Sequence, residues 1–146
     1  MNIIGISAGR KGETTEQAVH TVLQASEMVY TLIRLTDFAL LTCDACNGCV
    51  KTGRCIKKDG FNDIIELLHH SDGLVFGAPQ YWSGINAKAR AFWERLCFSG
   101  RHNEVFPFGD IPVVLLGVSG RGKADAAQKE LQEFAHDARM RVLESS

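Results

Sequence analysis

The chain has 146 residues, 45% of them apolar and 23% charged, which fits one globular domain of roughly 100 to 200 residues and excludes a two-domain dehydrogenase, a disordered chain and a disulfide miniprotein. Its 16 basic and 17 acidic residues leave a net charge of -1, so no footprint for nucleic acid or an anionic membrane is expected. No apolar stretch approaches the roughly 18 residues that span a bilayer, and the opening Met1-Asn2-Ile3-Ile4-Gly5 has no signal-peptide pattern, which predicts a cytoplasmic protein.

Ile3-Ile4-Gly5-Ile6 reads as a short buried strand feeding the loop Ser7-Ala8-Gly9-Arg10-Lys11-Gly12. From Thr15 on, Ala18, Val19, Val22 and Leu23 recur at helical spacing, with Thr14 or Thr15 as the N-cap. A second strand is expected near residues 30–35, followed by a loop that carries the cysteines as far as Asp59-Gly60. Phe61, Ile64, Ile65 and Leu68 form the next helical stripe, and Leu74-Val75-Phe76-Gly77-Ala78 a strand closed by Pro79. A third helix is predicted from near Asn86 through Ala89, Phe92, Trp93 and Leu96, and residues 113–118 make the most strand-like segment. Ala124, Ala127, Leu131, Phe134 and Ala138 mark a fourth helix, before a short strand at 140–143.

The order β-α-β-loop-α-β-α-β-α-β, with strands that lack polar alternation, predicts an α/β fold: a doubly wound parallel sheet covered on both faces. Ligands of such sheets bind beyond the carboxyl ends of the strands, where strand order reverses. Loops 7–15, 79–84 and 119–122 lie there. The first joins a strand to a helix N-terminus and offers backbone N–H groups, the hydroxyls of Ser7, Thr14 and Thr15, and Arg10, a combination suited to phosphate. It lacks the Walker A ending and the full dinucleotide fingerprint. In the second, Tyr81 and Trp82 can wall a planar ring, or fold back as a hydrophobic lid. Ser119-Gly120-Arg121-Gly122 can flank the same ring from the neighbouring strand.

Four of the five cysteines, Cys43, Cys46, Cys49 and Cys55, lie at spacings of x2, x2 and x5. So dense a cluster points to a metal or redox site. Thiolates converging from a compact Gly-containing loop are the ligands of a cubane iron-sulfur cluster, zinc with four cysteines usually joins two separated pairs, and thiols left unmetallated or engaged in redox exchange are the third reading. Cys97, between Leu96 and Phe98, is expected to be a packed core thiol. His69 and His70 suit a helix C-terminus. His20, His136, Glu130 and Glu133 are assigned to solvated helix faces.

Together, the 7–15 loop, the cysteine run followed by Lys57-Lys58-Asp59, the Gly77 to Gly84 segment with Pro79-x-Tyr81-Trp82, and Ala91-Phe92-Trp93-Glu94-Arg95 resemble the iron-sulfur flavoprotein branch of the NAD(P)H-dependent FMN reductase family. That resemblance implies a flavodoxin-like fold, with a five-stranded parallel sheet in three α/β/α layers. It also implies that Ser7, Arg10, Thr14 and Thr15, with the backbone at Gly9, hold the FMN phosphate. Pro79, Gln80, Tyr81, Trp82, Ser83 and Gly84 would frame the isoalloxazine, and Ser119 and Gly120 close its other side. Cys43, Cys46, Cys49 and Cys55 would hold a 4Fe-4S cluster. No side chain would serve as general acid or base, because the flavin carries the chemistry. Electrons would come from NAD(P)H or a carrier such as a ferredoxin-like protein, and could leave to a quinone. One alternative is a cluster-free NAD(P)H-dependent FMN or quinone reductase. Another, of a different class, is a zinc-stabilised interaction module. Relatives commonly read Gly-Ser-Pro-Arg where this chain has Ser7-Ala8-Gly9-Arg10. The fifth strand candidate is followed only by Glu144-Ser145-Ser146, so the fold's C-terminal helix is expected to be absent and a homodimer or higher homo-oligomer to cover the bare sheet face.

Overall fold

A computed structural model of the chain describes residues 1–103 and 108–143. Its elements run β1 (Asn2–Ser7), α1 (Thr14–Ala25), β2 (Val29–Arg34), a 3₁₀ turn at Leu35–Asp37, α2 (Phe61–His69), β3 (Gly73–Tyr81), β4 (Gly84–Ile85), α3 (Ala87–Gly100), β5 (Pro112–Val118), α4 (Asp125–Asp137) and β6 (Arg141–Val142). The sheet has the order β2-β1-β3-β5-β6, all parallel, with β4 antiparallel to β3. This is the parallel sheet covered on both faces that the order of elements predicts, in the three-layer flavodoxin-like α/β/α form that the resemblance implies.

Strand side chains alternate between the two faces, as the period of two requires. Ile4, Ile6, Phe76, Val113 and Leu115 point into the larger core beneath α2, α3 and α4. There Phe76 stacks on Phe92 at 5.5 Å between ring centroids and meets Trp93 edge-on at 5.1 Å. Each such fully buried aromatic contributes about 2 kcal/mol from area alone. The other face carries Ile3 and Val75 under Val19 and Leu23 of α1. Glycine lets that helix come close: a Cβ at Gly77 would lie 2.5 Å from Val19 Cγ2. Val114 and Leu116 pack against this smaller core and remain half-buried.

Two boundaries and the setting of one side chain differ from those expected. β3 does not stop at Pro79, because β5 pairs with it through Pro79 and Val118, and β4 then folds back on Gln80 and Tyr81. The expected open loop 79–84 is therefore a hairpin. Helix α1 is preceded by Glu13 at the N-cap, which makes no side-chain cap; Glu16 reaches back instead to accept the Gly12 N–H at 2.8 Å. Glu130, expected on a solvated face, is half-buried and accepts the Ile85 N–H at 3.0 Å while pairing with Arg90. Residues 144–146, on which the expected absence of a C-terminal helix rested, lie outside the described residues. Among those described, no helix is long and apolar enough to cross a membrane.

Candidate functional site

The chain leaves β1 for β2 on one side and returns through β3 on the other, so the strand order reverses between β1 and β3. At the carboxyl ends of β1, β3 and β5 a cleft of about 170 Å³ opens, lined by Gly9, Arg10, Glu13, Thr14, Thr15, Pro79, Gln80, Tyr81, Val118 and Gly120. This is where a doubly wound sheet binds its ligand. Three separate segments of sequence meet there, as expected from the loops.

The 9–15 segment is shaped for an anion. No side chain caps α1, and Thr14 and Thr15 of its first turn line the cleft at the positive end of a 12-residue helix. Arg10 supplies a full positive charge beside them. The turn is held from behind: Glu16 binds Arg34 through both oxygens, at 2.7 and 2.9 Å, as well as the Gly12 N–H. The Arg34 hydrogen bond holds the Glu16 carboxyl below its ordinary range against the opposing effect of burial. A Cβ at Gly9 would lie 2.6 Å from Thr15 Cβ, so this backbone passes closer to α1 than a side chain permits. A phosphate fits this cradle of N–H groups, hydroxyls and guanidinium.

The remaining expected residues fall on both sides of the cleft boundary. Tyr81 lines it, whereas Trp82 stands 98% exposed at the hairpin tip, with a left-handed backbone at φ 59°. Ser83 and Gly84 follow it in the hairpin, outside the lining. Ser7 is fully buried and its Oγ accepts the Gly9 N–H at 3.3 Å, which makes it a support for the loop. Ser119 accepts the Arg121 N–H at 3.3 Å, next to the lining residues Val118 and Gly120. Glu13 and Val118 were not among the expected site residues. Only the adjacency of each to a named loop residue could have drawn attention to them.

The cysteine segment lies against α3. Cys43, Cys46, Cys49 and Cys55 all line one small cavity of about 30 Å³, together with Arg95, Phe98 and Lys57. Cys46 is exposed and the other three are half-buried. Burial pushes the Cys49 thiol above its ordinary pKa, and its Sγ donates to the Phe98 carbonyl at 3.8 Å. Lys57 reaches the Thr42 carbonyl at 2.6 Å and Asp44 at 3.4 Å. Cys97 stands apart: burial, with Asp137 nearby, pushes its thiol up to about 12. Among the described residues no three His, Cys, Asp or Glu side chains converge closely enough to hold a single metal ion. A set of four thiols around one cavity nevertheless has the donor chemistry of an iron-sulfur cluster, in which each thiolate binds a different iron. Arg95 belongs to that wall, and its Nε is buried with no hydrogen-bond partner among the described residues.

A family model described as NADPH-dependent FMN reductase matches residues 1–146. An iron-sulfur flavoprotein from Methanocaldococcus jannaschii is 32% identical over 101 residues, covering 65% of this chain and 51% of the relative, so the match spans about half the relative's length. Among solved structures, a flavone reductase superposes with a TM-score of 0.74 at 15% identity over 98% of this chain and 52% of that one. An NADH:FMN oxidoreductase in its apo form gives 0.68 at 16% identity over 99% and 73%. These two likenesses establish the fold. The chain belongs to the NADPH-dependent FMN reductase family.

Proposed function

We propose that the chain binds FMN in the cleft at the ends of β1, β3 and β5, and transfers electrons from NAD(P)H to a quinone or another small acceptor. The observation that carries this reading is the uncapped N-terminus of α1, with Arg10, Thr14 and Thr15 around it, opposite Pro79, Gln80 and Tyr81 across a single cleft. Bound FMN would supply reversible two-electron chemistry. Arg10 and the α1 backbone would anchor its phosphate, with Ser7 and Gly9 holding the loop. Pro79, Gln80 and Tyr81 would bear on the ring, with Trp82, Ser83 and Gly84 completing the hairpin and Ser119 and Gly120 closing the opposite edge.

Titrating the metal-free protein with FMN while following flavin fluorescence tests the first step. Saturable quenching at one equivalent is expected; no quenching overturns the reading. Anaerobic addition of NADH or NADPH should then bleach the flavin absorbance, and loss of both responses would leave an external electron carrier as donor.

A second reading adds a 4Fe-4S cluster on Cys43, Cys46, Cys49 and Cys55. It is supported by the convergence of all four on one cavity with a buried guanidinium in its wall, and by the relative whose name is iron-sulfur flavoprotein. The small size of the cavity, about 30 Å³, favours the cluster-free reading. Anaerobic reconstitution with iron and sulfide, followed by metal analysis of wild type and Cys49→Ser, decides between them. The half-buried Val114 and Leu116 beside α1 support the expected homo-oligomer, which light scattering at micromolar concentration would overturn by finding a monomer.

A further inference from the structure

The stretch between Leu41 and Asp59 contains no helix or strand, so its shape depends on side-chain ties. The densest of these converge on Arg95. This side chain comes from α3, is 2% exposed, and lies over the Phe61 ring at 4.3 Å. Its Nη1 donates to the Leu41 carbonyl at 3.1 Å and to Asp59 Oδ2 at 2.6 Å. Its Nη2 donates to Asp59 Oδ1 at 2.9 Å and to Cys55 Sγ at 3.3 Å. Asp59 accepts the N–H of Leu41 at 2.7 Å and of Phe61 at 3.3 Å. One guanidinium and one carboxylate therefore grip the entry to the cysteine segment, its fourth cysteine and its exit.

Asp59 neutralises the guanidinium charge, and Nη2, which binds Asp59, also presents an N–H to the Cys55 sulfur. The Nε–H, buried and without a partner, belongs to a residue in the wall of the four-cysteine cavity. The donor that does meet sulfur is Nη2, on Cys55 Sγ, which would be a ligand atom of a cluster in that cavity. Hydrogen bonds to cluster sulfurs favour the more negative, reduced state and so raise its potential.

We propose that Arg95, anchored by Asp59, is the positioning residue of the cysteine segment: it closes the two ends of the loop onto α3 and directs an N–H donor at the sulfur of Cys55. The donor role rests on the cluster reading above; loop closure rests on the geometry alone, and the two are separable by experiment.

The metal-free protein tests closure. Limited trypsin digestion of wild type, Arg95→Lys, Arg95→Gln and the double variant Arg95→Gln/Asp59→Asn is followed by mass spectrometry at Lys51, Arg54, Lys57 and Lys58. FMN titration serves as the folding control, since Arg95 lies outside the flavin cleft. At least tenfold faster cleavage in the loop at unchanged FMN affinity is expected for both variants carrying Gln. Wild-type cleavage rates would overturn closure. Should Arg95→Gln alone fail to bind FMN, the double variant decides, because it leaves no unpaired charge inside.

Anaerobic reconstitution with ferrous iron and sulfide tests the donor role. Arg95→Lys should retain less iron or show a lower midpoint potential than wild type; identical iron content and potential would overturn it. If wild type takes up no iron and sulfide, the cluster reading and the donor role both fall, and the digestion rates still decide closure.

Discussion

The Gln80 side chain caps a helix 47 residues downstream: its Oε1 accepts the backbone N–H of Ala127, in the first turn of α4, at 3.1 Å. Its Nε2 donates to the Trp82 carbonyl at 3.3 Å. A residue in the cleft wall thus also supplies the cap that Ala124, at the N-cap of α4, does not provide. Gln80→Ala should cost about 1 kcal/mol of stability, the usual loss of a helix cap, and should loosen the hairpin enough to weaken FMN. Urea unfolding with a parallel FMN titration would check this. An unchanged unfolding midpoint would remove the cap assignment.

The two adjacent aromatics are expected to behave differently. Tyr81 lines the cleft, while Trp82 is 98% exposed. Removing a ring that contacts flavin forfeits apolar contact worth about 1 to 2 kcal/mol, so Tyr81→Ala should raise the FMN dissociation constant about tenfold. Trp82→Ala should change it less than twofold. The reverse order would mean that Trp82 turns inward on binding.

Acid should weaken the grip on the cysteine segment in a defined window. Burial acts to raise the Asp59 pKa, but the Arg95 hydrogen bonds and the Leu41 N–H override it and hold it at about 2, against an ordinary value of 3.8. The folded state therefore binds this proton less readily than the unfolded chain. Stabilisation of about 2 kcal/mol is present above pH 4 and disappears as the pH falls towards 2. Urea unfolding of wild type and Asp59→Asn at intervals from pH 6 to 2 should show the wild-type advantage shrinking across that range. A constant difference would show that Asp59 does not titrate as the Arg95 contacts require.

Thiol labelling should separate the cysteines. Burial holds the Cys97 thiol protonated, at about 12, whereas Cys46 is exposed. Only the thiolate reacts with iodoacetamide. At pH 8 peptide mapping of metal-free protein should find Cys46 alkylated at least a hundredfold faster than Cys97. Comparable rates would contradict the packed environment of Cys97.

Much of this arrangement is written locally in the chain. The apolar run of β5 and the 3.6-residue stripes of α2 and α4 identify themselves, because each element's own periodicity reports its burial. The phosphate-suited loop is legible for the same reason: its hydroxyls, Arg10 and the following helix are contiguous. What escapes is decided by partners far away in sequence. Pro79 ends a strand in isolation, yet lies within β3 because Val118 pairs with it. Glu130 sits among charged residues that suggest a wet surface, but its partner is the Ile85 N–H, 45 positions earlier. The roles of Gln80 and Arg95 are equally invisible to spacing, since both depend on tertiary neighbours.

Helix α3 connects the two regions directly. Asn86, its N-cap, donates from Nδ2 to the Ala8 carbonyl at 2.8 Å, in the loop that follows β1. Nine positions along the same helix Arg95 engages Cys55, a rise of about 13 Å at 1.5 Å per residue. A single rigid rod thus sets the spacing between the cleft at the strand ends and the cysteine cavity. Thermal motion of the long cysteine segment can alter what that segment binds, but it has little leverage over how far an electron would have to travel to reach it.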